Sequence, residues 1–138
     1  MNQYDQMSKD IFEFEENFYN EDFINLEEED HYISIGNDYD LKFIGLGAYR
    51  VVYEIDNSKI IKFIRKPTTK DNIQEYKRWQ QSNNSRFLPM HFEHAKDYSW
   101  IIVERLKMLT PGQFIQEFNK QFGFNFKVPS ELIRALIH

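Results

Sequence analysis

The apolar positions of this chain change their period as it proceeds. Near the amino terminus Ile11, Phe14 and Phe18 recur three and four residues apart, with Phe12, Tyr19 and Phe23 widening the stripe, the spacing of one helix face. Ser8 stands where a cap for that helix would stand. Leu26 to Asp30, with four consecutive acids, reads as a solvated loop, and Asn37 to Asp40 as a turn. From Leu41 to Arg65, LKFIGLGAYRVVYEIDNSKIIKFIR, the pattern becomes that of strands. Two apolar runs flank a loop carrying Gly45 and Gly47, Asp56-Asn57-Ser58 makes a hairpin turn, and a third run follows. Pro67 closes that run. Asp71 as N-cap, with Gln74 three residues on in a capping-box pattern, opens a helix, DNIQEYKRWQQ, which Asn83-Asn84-Ser85 breaks. Phe87 to His94 leads through an Ala95 to Ser99 turn into the strand Trp100 to Val103. Beyond Thr110, Phe114, Ile115, Phe118, Phe122, Phe124 and Phe126 precede a last helix, ELIRALIH.

The third apolar run raises a physical question. Strand alternation puts Ile60, Lys62 and Ile64 on one face and Ile61 and Phe63 on the other, so both faces are apolar and both need a cover. The helix containing Glu75 takes one side, and the aromatic amino-terminal helix is the candidate for the other. Lys62, set among isoleucines, requires a partner because an unpaired charge is costly to desolvate. Glu75, thirteen residues on, is the candidate carboxylate. Trp79 lies one turn after Glu75 on the same helix face and is expected to anchor the helix against the sheet.

Composition narrows the function classes. None of the 138 residues is cysteine, which excludes disulfides and thiolate chemistry and fits a cytoplasmic setting. No apolar run approaches the length of a membrane span, so no membrane association is expected. The net charge of −5 conceals a polarity: residues 1–40 hold thirteen Asp and Glu against Lys9 alone, a net of −12, while the remaining 98 residues hold sixteen Lys and Arg against nine acids, a net of +7. The two parts should attract each other, and the acidic part would repel nucleic acid phosphates, so direct nucleic acid binding is not expected. The histidines His31, His91, His94 and His138 lack the cysteines or recurrent spacing of a metal-ligand set and are read as surface residues.

Together GLGAYRVVY, KIIKFI and IQEY resemble the amino-terminal lobe of a protein kinase, with its glycine-rich loop, third-strand lysine and helix glutamate. HFEHAKDYSWIIVERL is similar to that lobe's fourth and fifth strands and hinge. The resemblance covers residues 41–110 and implies an α+β fold: a five-stranded antiparallel sheet with a packed helix, here with an acidic amino-terminal helix in residues 1–40 and a helical carboxy-terminal segment in residues 111–138. It also implies site roles. Gly45 and Gly47 would bring backbone close to phosphates, Tyr49 would stand at the loop tip, and Val52 would cover an adenine ring. Lys62 and Glu75 would form the phosphate-facing ion pair or a purely structural one, Val103 would guard the back pocket, and Glu104 to Leu106 would be the hinge.

The sequence departs from the kinase pattern at several points. Arg50 replaces the third glycine and reads as a solvated loop charge, and Ile60 stands where kinases carry an alanine, crowding a purine. No stretch reads as a His-Arg-Asp catalytic loop or an Asp-Phe-Gly metal motif, so no catalytic residue is assigned. No cofactor is expected, ATP binding being weak at most. The reading is a non-catalytic, kinase-lobe-like module that binds and regulates a protein partner, with Phe12, Phe14, Phe18 and Tyr19 as candidate contact residues. One alternative is the ATP-binding lobe of a longer kinase or phosphotransferase. A weaker one is an acidic inhibitor, of mobile-element or phage type, acting on a nucleic-acid-binding or defence protein.

Overall fold

The computed structural model describes residues 2–18, 26–82 and 88–105, together with Gln116, Asn119 and Lys120, which are helical. Residues 1–105 form one unit and residues 106–138 a second. The expectations for Tyr19, Phe23, Asn83 to Ser85, Phe87, Leu106 and the helical tail lie outside the described residues, apart from those three positions.

In the first unit the elements are α1 (Gln3–Phe18), α2 (Leu26–Asp38), β1 (Lys42–Leu46), β2 (Arg50–Glu54), β3 (Lys59–Ile64), α3 (Asp71–Gln81), β4 (His91–His94) and β5 (Trp100–Glu104). The strands make a five-stranded sheet in the order β1-β2-β3-β5-β4, every neighbouring pair antiparallel. This is the α+β arrangement that the kinase-lobe resemblance implies. The turn between β2 and β3 forms as expected, with the Ser58 amide donating to Asp56 Oδ1 at 2.8 Å and the Ile55 amide to the Lys59 carbonyl at 3.0 Å.

Register fixes the two faces of the sheet. Ile61 pairs with Tyr53 and Ile102, and Phe63 with Val51 and Trp100, so these six side chains share one face, and all six are buried. Their cover is α1 and α2. Met7 and Ile11 of α1, Tyr32 of α2, Leu41 and Ala95 complete the cluster. Trp100 donates its indole N–H to Asp5 at 2.9 Å and meets Tyr4 edge-on at 5.5 Å, while the Tyr53 hydroxyl donates to the Tyr32 carbonyl at 2.7 Å. The attraction of the acidic segment for the basic body and the demand of Ile61 and Phe63 for a cover are met together.

Three local expectations are corrected. Leu26 to Asp30 is not a loop but the first turn of α2, because Glu27, Glu28 and Glu29 sit where the unpaired amides and the positive end of the helix dipole favour carboxylates. Ser8 does not cap α1, which begins at Gln3. It is buried within the helix, its hydroxyl without a hydrogen-bond partner among the described residues. Asp71 is not the N-cap of α3; Lys70 holds that position and offers no side-chain cap.

The end of α2 positions everything after it. Leu41 and Asp40 donate their amides to the carbonyls of Gly36 at 2.9 Å and Asn37 at 3.3 Å, the paired bonds of a Schellman stop. Asp40 takes the left-handed conformation there, with φ of 56°, and Leu41 beyond it is buried in the core cluster. Gly36 is the point of closest approach: a Cβ at this residue would lie 2.5 Å from Tyr53 Cε1 and 2.8 Å from the Leu41 carbonyl oxygen. Gly36→Ala should therefore destabilise the unit by about 2 to 3 kcal/mol in urea unfolding, since neither a buried ring nor the backbone can yield. Asp40→Gly should stabilise it by about 1 kcal/mol, because glycine adopts the left-handed conformation without strain.

Candidate functional site

The opposite face of the sheet carries the residues singled out by sequence. Lys62 pairs with Val52 on β2 and Ile101 on β5, Ile60 with Glu54 and Val103, and Ile64 with Arg50, so Arg50, Val52, Ile60, Lys62 and Val103 share this face. Packed on it, α3 is fixed by Asn72, whose buried amide nitrogen donates to the carbonyls of Lys62 at 3.1 Å and Tyr98 at 3.0 Å. One amide thus ties the helix to β3 and to the β4–β5 turn. Asn72 carries no motif signal and was not legible as a site residue.

With α3 so held, Glu75 reaches Lys62. The Nζ to Oε1 distance is 2.8 Å, with the two side chains 15% and 18% exposed, and the expected strand-to-helix ion pair is present. Arg50 corrects another expectation. Far from being a solvated charge, it donates through Nη1 to the same Glu75 oxygen at 3.0 Å and lies 3.9 Å from Asp71, which turns its carboxylate to this cluster. Burial works to raise the Glu75 carboxyl, but the Lys62 ammonium and then the Arg50 guanidinium outweigh it and leave the pKa below the usual carboxylate value. Its second oxygen, Oε2, is buried without a partner among the described residues.

The β1–β2 loop closes tightly, the Gly47 amide donating to the Arg50 carbonyl at 2.8 Å. Neither Gly45 nor Gly47 takes a left-handed backbone conformation, so their use here lies in what they leave open: a Cβ on Gly45 would meet nothing within 4 Å. Tyr49 stands at the loop tip, 63% exposed. The residue that holds this loop is Arg65, which sequence reasoning passed over. Its Nη1 donates to the Gly47 carbonyl at 2.7 Å, its backbone amide to the Tyr49 carbonyl at 2.9 Å, and its Nε to Glu15 of α1 at 2.7 Å, while Nη2 pairs with Glu28 of α2. The signal available was parity: Arg65 continues the Ile61 and Phe63 side of the strand.

Elsewhere the picture is mixed. Val103 is buried, and the Glu104 amide is engaged with the Met90 carbonyl at 2.8 Å; Leu106 lies outside the described residues. Trp79 is only half-buried and does not anchor a core. It stacks on Tyr76 at 6.2 Å and lies against His91 at 5.8 Å, in an aromatic group that also takes in His94 and Tyr98. His91 and His94 are accordingly not surface residues: both are half-buried, and their ring nitrogens share a hydrogen bond of 3.0 Å. Among the described residues no three His, Asp or Glu side chains converge as a metal site would require. Of the candidate contact residues of α1, one is packed against the core. Phe14 packs on Phe18, His31 and Tyr32 at 4.9 to 5.2 Å, and Phe12 and Phe18 are half-buried.

No family model matches the chain, and no curated protein matches it. Among solved structures, the ternary complex of streptomycin, ATP and APH(2")-IIa is similar at 14% identity and a TM-score of 0.41, over 68% of this chain and 34% of that one. The matched part is thus about a third of that protein's length. No helix among the described residues is long and apolar enough to cross a membrane.

Two measurements probe the site's energetics. Glu75→Gln strips the shared carboxylate from two cations and should cost roughly 3 kcal/mol in urea unfolding, with an unchanged m-value. The second concerns His91, whose pKa burial and the neighbouring His94 lower from 6.5 to about 4, against the opposing pull of Glu75. The unfolded chain then binds more protons than the fold between those two values, so this contribution is complete above 6.5 and is lost as the pH falls toward 4. The melting temperature should drop on acidification from pH 7 to about 5, above the range in which carboxylates titrate, and His91→Phe should flatten that slope.

Proposed function

We propose that residues 41–105 are a nucleoside-triphosphate-binding lobe of the protein kinase type. The observation that carries this reading is the Lys62–Glu75 contact of 2.8 Å, which holds the ammonium on the same face of the sheet as Val52 and Ile60, while at Gly45 in β1 an added Cβ would meet nothing within 4 Å. Lys62 and the backbone of the β1–β2 loop would receive phosphates, while the half-buried Val52 and Ile60 would offer the apolar surface for a base, with buried Val103 behind them. Ile60 is bulkier than the alanine of kinases, and the nucleotide is accordingly held weakly. Phosphoryl transfer also needs a group to orient the nucleophile and carboxylates for Mg²⁺, and in kinases the second lobe supplies these. The proposal for the first unit is therefore binding rather than transfer.

A second reading keeps the fold but makes it a non-catalytic module that regulates a protein partner. What favours it is self-sufficiency: Arg50 already shares Glu75 with Lys62, and Arg65 already occupies the carbonyl of Gly47. Of the candidate contact residues on α1, Phe14 is packed against the core, while Phe12 and Phe18 are half-buried.

Thermal melting in MgATP separates the two. A ligand present at a hundred times its Kd stabilises by about 2.7 kcal/mol, so millimolar nucleotide should raise the melting temperature measurably even for weak binding. The rise should vanish in Lys62→Ala and grow in Ile60→Ala, which widens the slot for the base. No rise in the native protein or in Ile60→Ala at about 10 mM MgATP, a concentration of roughly a hundred Kd for a site of 0.1 mM affinity, would favour the regulatory module.

A further inference from the structure

The geometry points to Arg65 as a positioning residue that makes the β1–β2 loop dependent on the docking of both amino-terminal helices; its consequence for ligand binding rests on the nucleotide reading above. Three separate segments meet on one guanidinium. Nε serves Glu15 of α1 at 2.7 Å, Nη2 serves Glu28 of α2, and Nη1 serves the Gly47 carbonyl at 2.7 Å and, at 3.4 Å, that of Ala48. The three side chains are 12%, 10% and 3% exposed for Arg65, Glu15 and Glu28. Glu15 Oε1 additionally accepts from the Tyr32 hydroxyl, and the guanidinium lies over the Tyr32 ring, 5.7 Å from its centre.

This arrangement suits arginine and no other cation. A guanidinium stays charged throughout the accessible pH range and offers donors in fixed, divergent in-plane directions, so one group can satisfy two carboxylates and a carbonyl at once. An ammonium is a single point at the end of a flexible stem. Without the two carboxylates the buried cation would be uncompensated and would leave for solvent, and its loop carbonyls would lose their donor. The helices therefore do more than cover Ile61 and Phe63. They hold Arg65 in place, and Arg65 holds the backbone of the loop that leads into β2, the strand paired with Lys62. Whatever draws α1 or α2 from the sheet releases the loop as well, giving a phosphate-binding loop whose order reports on the docking of the acidic helices.

Two amides read the loop directly: that of Gly47, bonded to the Arg50 carbonyl, and that of residue 65, bonded to the Tyr49 carbonyl. Hydrogen exchange at these amides, followed by NMR in the native protein, Arg65→Lys, Glu28→Gln and Glu15→Gln, tests the inference. Exchange at both should quicken about tenfold or more in Arg65→Lys and by a smaller factor in each Gln variant, while the amides of α3 and β5 keep their native protection. Native exchange at Gly47 in all three variants would overturn the inference, as would a uniform quickening across the unit, which marks a structural ion pair and nothing more. Should Arg65→Lys fail to fold, the two Gln variants decide alone, since they retain the arginine and withdraw one carboxylate each. MgATP melting of the same set gives a second readout, with a smaller ligand-induced rise expected wherever loop exchange is fast. A native protein without any rise refutes nucleotide binding, and the exchange rates still decide the role of Arg65.

Discussion

A largely desolvated cation on each side of one strand is the constraint on which this structure depends. Lys62 lies within β3, the central strand, and Arg65 just beyond its end, and strand alternation sends them to opposite faces. Neither charge tolerates desolvation alone, so each recruits carboxylates from the helices that cover its face: Glu75 from α3 on one side, Glu15 and Glu28 from α1 and α2 on the other. Hydrophobic burial brings the layers together, but it is non-directional. The two ion-pair sets, with the Asn72 amide bridging Lys62 and Tyr98, fix the helices in rotation and translation against the sheet.

The charge polarity of the chain acquires a structural meaning from this. An amino-terminal segment with a net charge of −12 would ordinarily be a solvated arm or a lure for basic partners. Here its acids divide by face. Glu13, Glu16, Glu27, Glu29 and Asp30 are exposed, whereas Glu15 and Glu28 are drawn into the interior, and Asp5 and Asp10 bond Trp100 and Tyr39. Burial and the Asp10 carboxylate push the Tyr39 hydroxyl up to about 12, so it remains the donor in that bond at any physiological pH. Among the described residues, α1 and α2 form a structural layer of the unit, with these exposed acids on its outer face.

The arrangement also bears on the face that carries Lys62. Lys62, Arg50 and the β1–β2 loop are each held by partners within the protein, so this face is preorganised. Preorganisation serves a phosphate ligand, because the donors need not be ordered at the moment of binding, and it equally serves a rigid docking face. The half-buried group of Tyr76, Trp79, His91, His94 and Tyr98 extends this rigidity from α3 to β4 and the β4–β5 turn, with rings packed against one another where Trp79 alone was expected to anchor the helix.

How much of this was legible follows from the range of the interactions involved. Patterns of period two and four, together with turn residues of known chemistry, were enough for the strands, the hairpin at Asp56 to Ser58, the helix after Pro67 and the pairing of Lys62 with Glu75. In each of these the deciding contacts are local, or one residue type permits few alternatives. The acidic run from Glu27 to Asp30 was misread because a helix with weak periodicity owes its existence to what it packs on, here Tyr53 against Gly36. Arg50 and Arg65 were underrated for the same reason. Their partners lie 25 and 21 residues away for Arg50, and 50 and 37 residues away for Arg65, and no spacing rule spans such distances. The chain by itself determined which stretches would be strands and which charge could not stand alone. Tertiary structure decided which carboxylates would leave water to meet the arginines, because desolvation is set by the packing of whole layers and not by any neighbour in sequence.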